Sequence, residues 1–227
     1  MRFAVLFDLE DTLVKTPWSN HQHVLKFRHE TRANLIRLGI PAKVLEGIER
    51  STLMRIKATA YVQANFDKSE TERFHREMEK FLSRFELDSA RKSRLFPETV
   101  TVLEHLKNLG VKIGLVTNTS SEAANIVFAV HGLAKYFDAV VTRDDVKSLK
   151  PDPESILLAK KKLGAENFIM VGDLDLDVSA AKSAEGFAVI VRREIGGHEG
   201  SEADCIIESL TEVPKIVQSR RDMTQCT

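Results

Sequence analysis

Asp8 and Glu10 lie two residues apart in Phe7-Asp8-Leu9-Glu10-Asp11-Thr12-Leu13, directly after the apolar run Phe3-Ala4-Val5-Leu6. Two carboxylates so placed in a tight turn can share one reaction centre. One then acts as nucleophile or metal ligand while the other moves protons. An Asp-rich turn standing alone is also what a helix cap or a solvated loop looks like. Three further segments carry complementary groups. Val116-Thr117-Asn118-Thr119 offers a hydroxyl and successive backbone N–H groups, which can hold a phosphate oxygen. Lys150-Pro151-Asp152-Pro153 presents a lysine just before a helix start, and Val171-Gly172-Asp173-Leu174-Asp175-Leu176-Asp177 is an acidic loop feeding another helix. Taken singly these have ordinary readings as a cap, a surface lysine and a solvated turn. Four of them in one order are harder to read as unrelated.

What could bring the four together is a sheet whose strands end beside one another. Short apolar runs recur at residues 3–7, 113–116, 139–141, 168–171, 188–191 and 205–207. Their length and Val/Ile content suit strands of a parallel sheet buried on both faces. Helical periodicity over 97–109 stops at Gly110, over 153–163 at Gly164, and over 177–184 just before Gly186. Strands alternating with helices predict right-handed βαβ units and an α/β, doubly wound, Rossmann-like parallel sheet. In such a sheet ligands sit outside the C-terminal ends of the strands, where all four segments fall.

Residues 16–95 break the alternation. They contain no convincing strand and predict amphipathic helices, with breaks at Gly39-Ile40-Pro41 and Asn65-Phe66-Asp67. Phe74, Met78, Phe81, Leu82 and Phe85 form an apolar stripe expected to be core packing. The division expected is a core of residues 1–15 and 96–227 and an inserted helical domain of residues 16–95.

With 43% hydrophobic and 29% charged residues the composition is that of a soluble globular protein. Lys+Arg and Asp+Glu both total 33, so no overall basic field draws the chain to nucleic acid or a membrane surface. No apolar run approaches the roughly 20 residues that span a bilayer, and the start of the sequence has no signal-peptide layout. Cys205 and Cys226 lack metal-type spacing and fit a reducing cytoplasm. His21 and His23 are a two-histidine pair without a third ligand and read as surface residues. The expectation is a cytoplasmic protein, monomer or homodimer, with no nucleic-acid or membrane partner.

The whole pattern resembles the haloacid dehalogenase (HAD) superfamily of phosphohydrolases. Its signature runs from a strand with D-x-D-x-T, through a strand with Thr or Ser and a Lys before a helix, to a strand with G-D-x-x-x-D. Here these are Asp8-Leu9-Glu10-Asp11-Thr12, Thr117, Lys150 and Gly172-Asp173…Asp177. Leu95-Phe96-Pro97, Ala180-Ala181-Lys182-Ser183-Ala184 and Glu202-Ala203-Asp204 look like the family as well. The helical insertion is similar to the smaller type of cap, as in phosphoglycolate phosphatase-like members. The resemblance implies a Mg²⁺-dependent phosphomonoester hydrolase of a small phosphorylated metabolite, with Asp8 as the nucleophile that forms an aspartyl-phosphate. It further implies Mg²⁺ held by Asp8, Asp173 and the backbone carbonyl of Glu10, phosphate oxygens on Thr117 and the N–H of Asn118, Lys150 neutralising charge, and Asp177 supporting Lys150 or a metal-bound water. The position of Asp175 is variable in the family.

The chain departs from the family at two places. Glu10 stands where most of its phosphatases have Asp as general acid/base; its intrinsic pKa is similar but it carries one more methylene. Asp11 replaces the usual Gly at a sharp turn, a conformation Asp tolerates better than most residues. These departures keep a non-catalytic, phosphate-ligand- or partner-binding member as an alternative, and a phosphohexose mutase-like enzyme stays open beside it. In the insertion Arg50, Arg55 and Lys57 are candidates for selecting a substrate anion, and Ser219-Arg220-Arg221-Asp222 reads as a frayed tail.

Overall fold

A computed structural model of the chain describes residues 2–17, 20–193 and 202–225. Cys226 lies outside these. The chain divides into two compact units, Met1–Thr16 with Ala90–Thr227, and Pro17–Ser89.

The first unit is built on the short apolar runs. Strands β1 (Phe3–Phe7), β4 (Lys112–Val116), β5 (Ala139–Val141), β6 (Asn167–Gly172), β7 (Phe187–Val191) and β8 (Cys205–Ile207) form one six-stranded sheet, ordered β5-β4-β1-β6-β7-β8. Every pairing is parallel. Ala4 to Phe7 are fully buried, which is why β1 reads as a continuous apolar run and not an alternation. Crossover helices α4 (Thr99–Asn108), α5 (Ser121–His131), α6 (Glu154–Leu163) and α7 (Asp175–Ser183) connect the strands, and α8 (Val213–Gln225) closes the chain. Ile156, Ala159 and Leu163 of α6 and Val178, Ala180 and Ala181 of α7 pack with Leu6, Val141, Phe168 and Met170 in one cluster. A two-stranded ribbon, β2 (Val14–Lys15) with β3 (Arg94–Leu95), pairs the two segments where the chain leaves and re-enters this unit.

Helix ends follow the expected chemistry in most places. Ser120 caps α5 by accepting from the backbone N–H of Ala123, and Gly132 and Gly164 end α5 and α6 in the left-handed conformation. After α7 the left-handed residue is Glu185, at φ 58°, and not Gly186. Gly186 is needed for space instead: a Cβ there would lie 2.2 Å from the Phe168 ring. The tail is also not frayed. Val213 and Val217 are buried at i,i+4 spacing, and the Arg221 guanidinium donates to the Leu109 carbonyl at 2.8 Å.

The second unit is helical, with α1 (His21–Arg37), α2 (Ser51–Asn65) and most of α3 (Lys68–Lys92). Asp67 and Glu70 cap α3 reciprocally, each side chain accepting from the other's backbone N–H. Phe74, Met78 and Leu82 are buried with Leu35, Met54, Ala58 and Val62, and Phe81 packs beside them, so the apolar stripe is core. The Arg32 guanidinium donates to the carbonyls of Leu45 and Ile48 at 2.7 and 2.6 Å, fixing the loop before α2. Arg50 and Arg55 are half-buried, while Lys57, His21 and His23 are exposed. No helix among the described residues is long and apolar enough to cross a membrane.

Candidate active site

Register brings the reactive loops together. Phe7 of β1 is level with Leu115 of β4 on one side and Val171 of β6 on the other. The residues after each strand therefore emerge side by side: Asp8 in the middle, Thr117 on one flank and Asp173 on the other. Lys150 comes from the loop beyond β5, one strand further out, and its long side chain spans the distance inward.

Lys150 is 3% exposed, and its ammonium is the hub of the site. It donates to Asp8 Oδ1 at 2.7 Å, to Asp177 Oδ1 at 2.5 Å and to the Val116 carbonyl at 2.9 Å, which accounts for all three of its hydrogens. The side chain of Asn118 holds the backbone of this lysine from both sides. Its Oδ1 accepts from the Lys150 N–H at 3.0 Å and its Nδ2 donates to the Lys150 carbonyl at 3.1 Å. The Lys150–Pro151 peptide is cis.

Asp8, Asp173 and Asp177, all buried, place carboxylate oxygens within 4.8 Å of one another. Thr12 Oγ1 donates to Asp173 Oδ1 at 3.2 Å, and the Leu174 N–H donates to Asp177 Oδ2 at 3.2 Å. Gly172 makes room for this: a Cβ at that position would sit 2.3 Å from the Asp177 carboxyl. Asp175, half-buried, begins α7, where an acid complements the helix N-terminus.

The Glu10 carboxylate takes a different direction, with Oε2 accepting from Thr119 Oγ1 at 2.7 Å. Among the described residues it is not part of the carboxylate cluster; the expected metal contact of residue 10 was through its backbone carbonyl. Asp11 adopts φ 54°, the left-handed conformation expected where the family has Gly. Its Oδ1 accepts from the backbone N–H and the hydroxyl of Thr16 at 3.0 and 3.2 Å. Thr117 accepts on Oγ1 from the Thr119 N–H at 3.2 Å, leaving its own hydroxyl hydrogen to be donated.

One lysine facing three buried carboxylates leaves the site short of positive charge. Burial raises the Asp8 carboxyl most; Lys150 pulls it down and Asp177 pushes it up again, to about 6 in all. Asp173 is raised well above the ordinary carboxylate range by burial, then by Asp8, Asp177 and Asp11. Burial lowers Lys150, but Asp177 and Asp8 more than reverse this and hold it firmly protonated. A divalent cation would offset the surplus negative charge, and carboxylate and carbonyl oxygens are the donors a hard ion such as Mg²⁺ prefers. The residues present therefore fit that ion.

Sequence reasoning singled out Asp8, Glu10, Thr117, Asn118, Lys150, Asp173 and Asp177. The structure brings Asp8, Asp173, Asp177 and Lys150 together and sets Asn118 on the Lys150 backbone, while Thr117 follows the neighbouring strand and the Glu10 carboxylate meets Thr119 instead. It gave no role to Thr12 or Thr119, and it used the backbone of Asn118 but not its side chain. Thr12 closes the D-x-D-x-T pattern, so its place was marked although its partner Asp173 was not; Thr119, two residues beyond Thr117, carries no such mark.

Fold and site together define a doubly wound α/β protein with an acidic, lysine-bearing centre at the C-terminal ends of β1, β4 and β6. The sequence profile of haloacid dehalogenase-like hydrolases matches residues 4–185, and the chain belongs to that family. It is 28% identical over 185 residues to a phosphoglycolate phosphatase of Cereibacter sphaeroides, covering 80% of this chain and 81% of that protein. It is 27% identical over 230 residues to the Neisseria meningitidis phosphoglycolate phosphatase, covering 96% and 95%. A shorter match, 44% identical over 90 residues, joins it to the pyrophosphatase PpaX of Bacillus velezensis, with 38% of this chain and 42% of that protein covered. Among solved structures, a HAD phosphatase from Thermococcus onnurineus aligns at 29% identity with a TM-score of 0.59, covering 96% and 98%. A β-phosphoglucomutase from Clostridium difficile shares the fold at TM-score 0.68 and 23% identity, covering 100% of both chains.

Proposed function

We propose that the protein is a Mg²⁺-dependent phosphatase of a small phosphorylated metabolite, working through an aspartyl-phosphate on Asp8, with residues 16–95 as a helical cap. The observation that carries this reading is the Lys150 ammonium joining Asp8 to Asp177 in a buried carboxylate cluster. No scaffold needs that arrangement, and anionic attack on an anionic phosphate does.

An Asp8 carboxylate oxygen forms the new bond to phosphorus as the ester P–O bond breaks, and the departing oxygen takes a proton from Glu10. Water then attacks the aspartyl-phosphate, giving its proton to Glu10, and inorganic phosphate leaves with Asp8 regenerated. Lys150 screens the nucleophile from the incoming charge. Thr117 offers its hydroxyl hydrogen to a non-bridging oxygen. The Thr117 N–H is committed to the Val141 carbonyl and that of Thr119 to Thr117 Oγ1, so the Asn118 N–H is the backbone donor for the second oxygen. Asp8, Asp173 and the carbonyl of Glu10 would hold Mg²⁺, which supplies further charge neutralisation on the phosphate. Asp177 keeps Lys150 aimed at Asp8. Cytoplasmic location follows from the same reading, since phosphorylated metabolites are substrates of that compartment.

The test is a panel of phosphomonoesters, phosphoglycolate, sugar phosphates and nucleotides included, and pyrophosphate beside them, each assayed with Mg²⁺ and with EDTA. Release of phosphate from at least one, lost in EDTA and in Asp8→Asn, is expected. No release from any of them, together with tight binding of a phosphorylated ligand, would replace this reading by that of a binding module. Phosphate moved within a hexose phosphate, and not released, would make the protein a mutase.

A further inference from the structure

Glu10 is one methylene longer than the acid most family phosphatases have at its position, and its carboxylate is already engaged. Thr119 Oγ1 donates to Glu10 Oε2 at 2.7 Å across 109 residues of sequence, and Thr119 is 4% exposed. The hydroxyl sits on backbone fixed from both sides. The Thr119 N–H donates to Thr117 Oγ1 at 3.2 Å, and the Thr119 carbonyl accepts from the Arg143 N–H at 3.2 Å. Arg143 begins a tight turn closed by Thr142 and Asp145, each satisfying the other's backbone N–H. The donor thus stands on held backbone, while the acceptor sits at the end of a longer side chain.

Reach decides which acid can use this donor. An aspartate on the same backbone would fall about 1.5 Å short, a carbon–carbon bond length. A 2.7 Å contact would become one of about 4 Å, beyond hydrogen-bonding range. A glutamate left unheld has three rotatable bonds and loses rotamer freedom when ordered. Such a side chain is a poor proton shuttle unless something fixes it beforehand.

We infer that Thr119 is the positioning residue for Glu10, and that the two side chains form a matched pair replacing the shorter acid usual in this family. The inference rests on Glu10 being the general acid/base of the proposed phosphatase. Thr119 does not touch phosphate in this scheme; it sets where the proton is given and taken.

Two measurements test it. In steady-state kinetics Thr119→Val should lower kcat about tenfold, the fold-change that one hydrogen bond of about 1.4 kcal/mol represents, with KM unchanged. Thr119→Ser should restore it. In a Glu10→Asp background Thr119→Val should have no further effect, because the hydrogen bond is already out of reach. In thermal melts, which need no activity, Thr119→Val and Glu10→Gln combined should shift Tm by less than their separate shifts together. Unchanged or raised kcat in Thr119→Val, an equal loss in the Glu10→Asp background, or additive Tm shifts would each overturn the pairing. Phosphate release that survives Asp8→Asn would instead overturn the phosphatase reading, and the melts would still decide whether the pair exists.

Discussion

Replacing Asp8 by Asn should make the metal-free protein more stable while removing its phosphatase activity. Asp8 stands among Asp173, Asp177 and a single lysine, and its carboxyl is pushed up from 3.8 to about 6, by burial first. At about 1.4 kcal/mol per pH unit, keeping Asp8 ionised at neutral pH costs the folded state about 3 kcal/mol. Asparagine has the shape of the neutral acid and can still accept from Lys150 through its amide oxygen, although more weakly. The expected gain is about 1–3 kcal/mol, or about 2–4 °C of Tm per kcal/mol for a chain of this size. The sign with pH follows from the direction of the displacement. The cost is fully present above the folded value of about 6 and gone below the unfolded 3.8, so the advantage of Asp8→Asn should hold at pH 7.5 and fade toward pH 4. On the proposed reading Mg²⁺ binds the native wild type and finds one ligand fewer in the variant, so adding it should narrow or reverse the difference. The assay is a thermal melt in EDTA and in Mg²⁺ at several pH values. A variant that melts at or below the wild type in EDTA at pH 7.5 would show that the carboxylate cluster is not short of positive charge, and the argument for a cation there would fall.

Other perturbations probe how the site is held. Gly172→Ala places a Cβ 2.3 Å from the Asp177 carboxyl; overpacking of this kind costs about 1–3 kcal/mol. It should also displace Asp177 from Lys150, so turnover should fall far more than stability, as a melt and a phosphate-release assay would show. Arg193 donates to Glu98 at 3.0 Å and to the Thr12 carbonyl at 2.8 Å, with its guanidinium 3.5 Å from the Phe96 ring centre. Arg193→Met keeps apolar contact with Phe96 but loses both hydrogen bonds; a loss of about 1–3 kcal/mol in urea unfolding is expected, with lower kcat because the Asp8–Thr12 loop is released. Gly186→Ala, directed into the Phe168 ring away from the site, should destabilise by a similar amount and leave KM unchanged.

Strands were legible because burial on both faces writes itself as short apolar runs, and each of the six expected runs is a strand of the sheet. Their order was not legible. Nothing in the run at 139–141 says that it pairs with β4 and lies at an edge; order is set by how helices pack on the two faces, and those contacts are distant in sequence. The ribbon of Val14–Lys15 with Arg94–Leu95 is too short to carry a period. Helix α8 escaped because Pro214 near its start and the charged run Arg220-Arg221-Asp222 obscure the period carried by buried Val213 and Val217. In the candidate site a contact was legible where a motif residue meets its partner through its own charge, as Lys150 meets Asp8. It was illegible where a residue acts by holding another, as Asn118 holds the Lys150 backbone and Thr12 holds Asp173.

Glu10 and Asp11 were the motive for reading the chain as a member that has lost catalysis, and the structure weakens that motive at both positions. A left-handed residue other than Gly carries a conformational cost, of order 1–2 kcal/mol for most residues and less for Asp. The Asp11 carboxylate offsets it by capping the backbone N–H and the hydroxyl of Thr16, a function Gly could not serve. Glu10 has Thr119 within reach of its longer side chain, as Asp would not. Each departure thus comes with a local partner, the pattern of a substitution accommodated and not of one tolerated by neglect. The buried charges argue in the same direction. A chain released from catalysis has no reason to keep Asp8, Asp173 and Asp177 around one lysine, since ionised Asp8 alone costs the fold about 3 kcal/mol without a cation. Retaining that cost is intelligible in a protein that binds a cation and a phosphate there, and the instability of the metal-free wild type relative to Asp8→Asn measures how much has been retained.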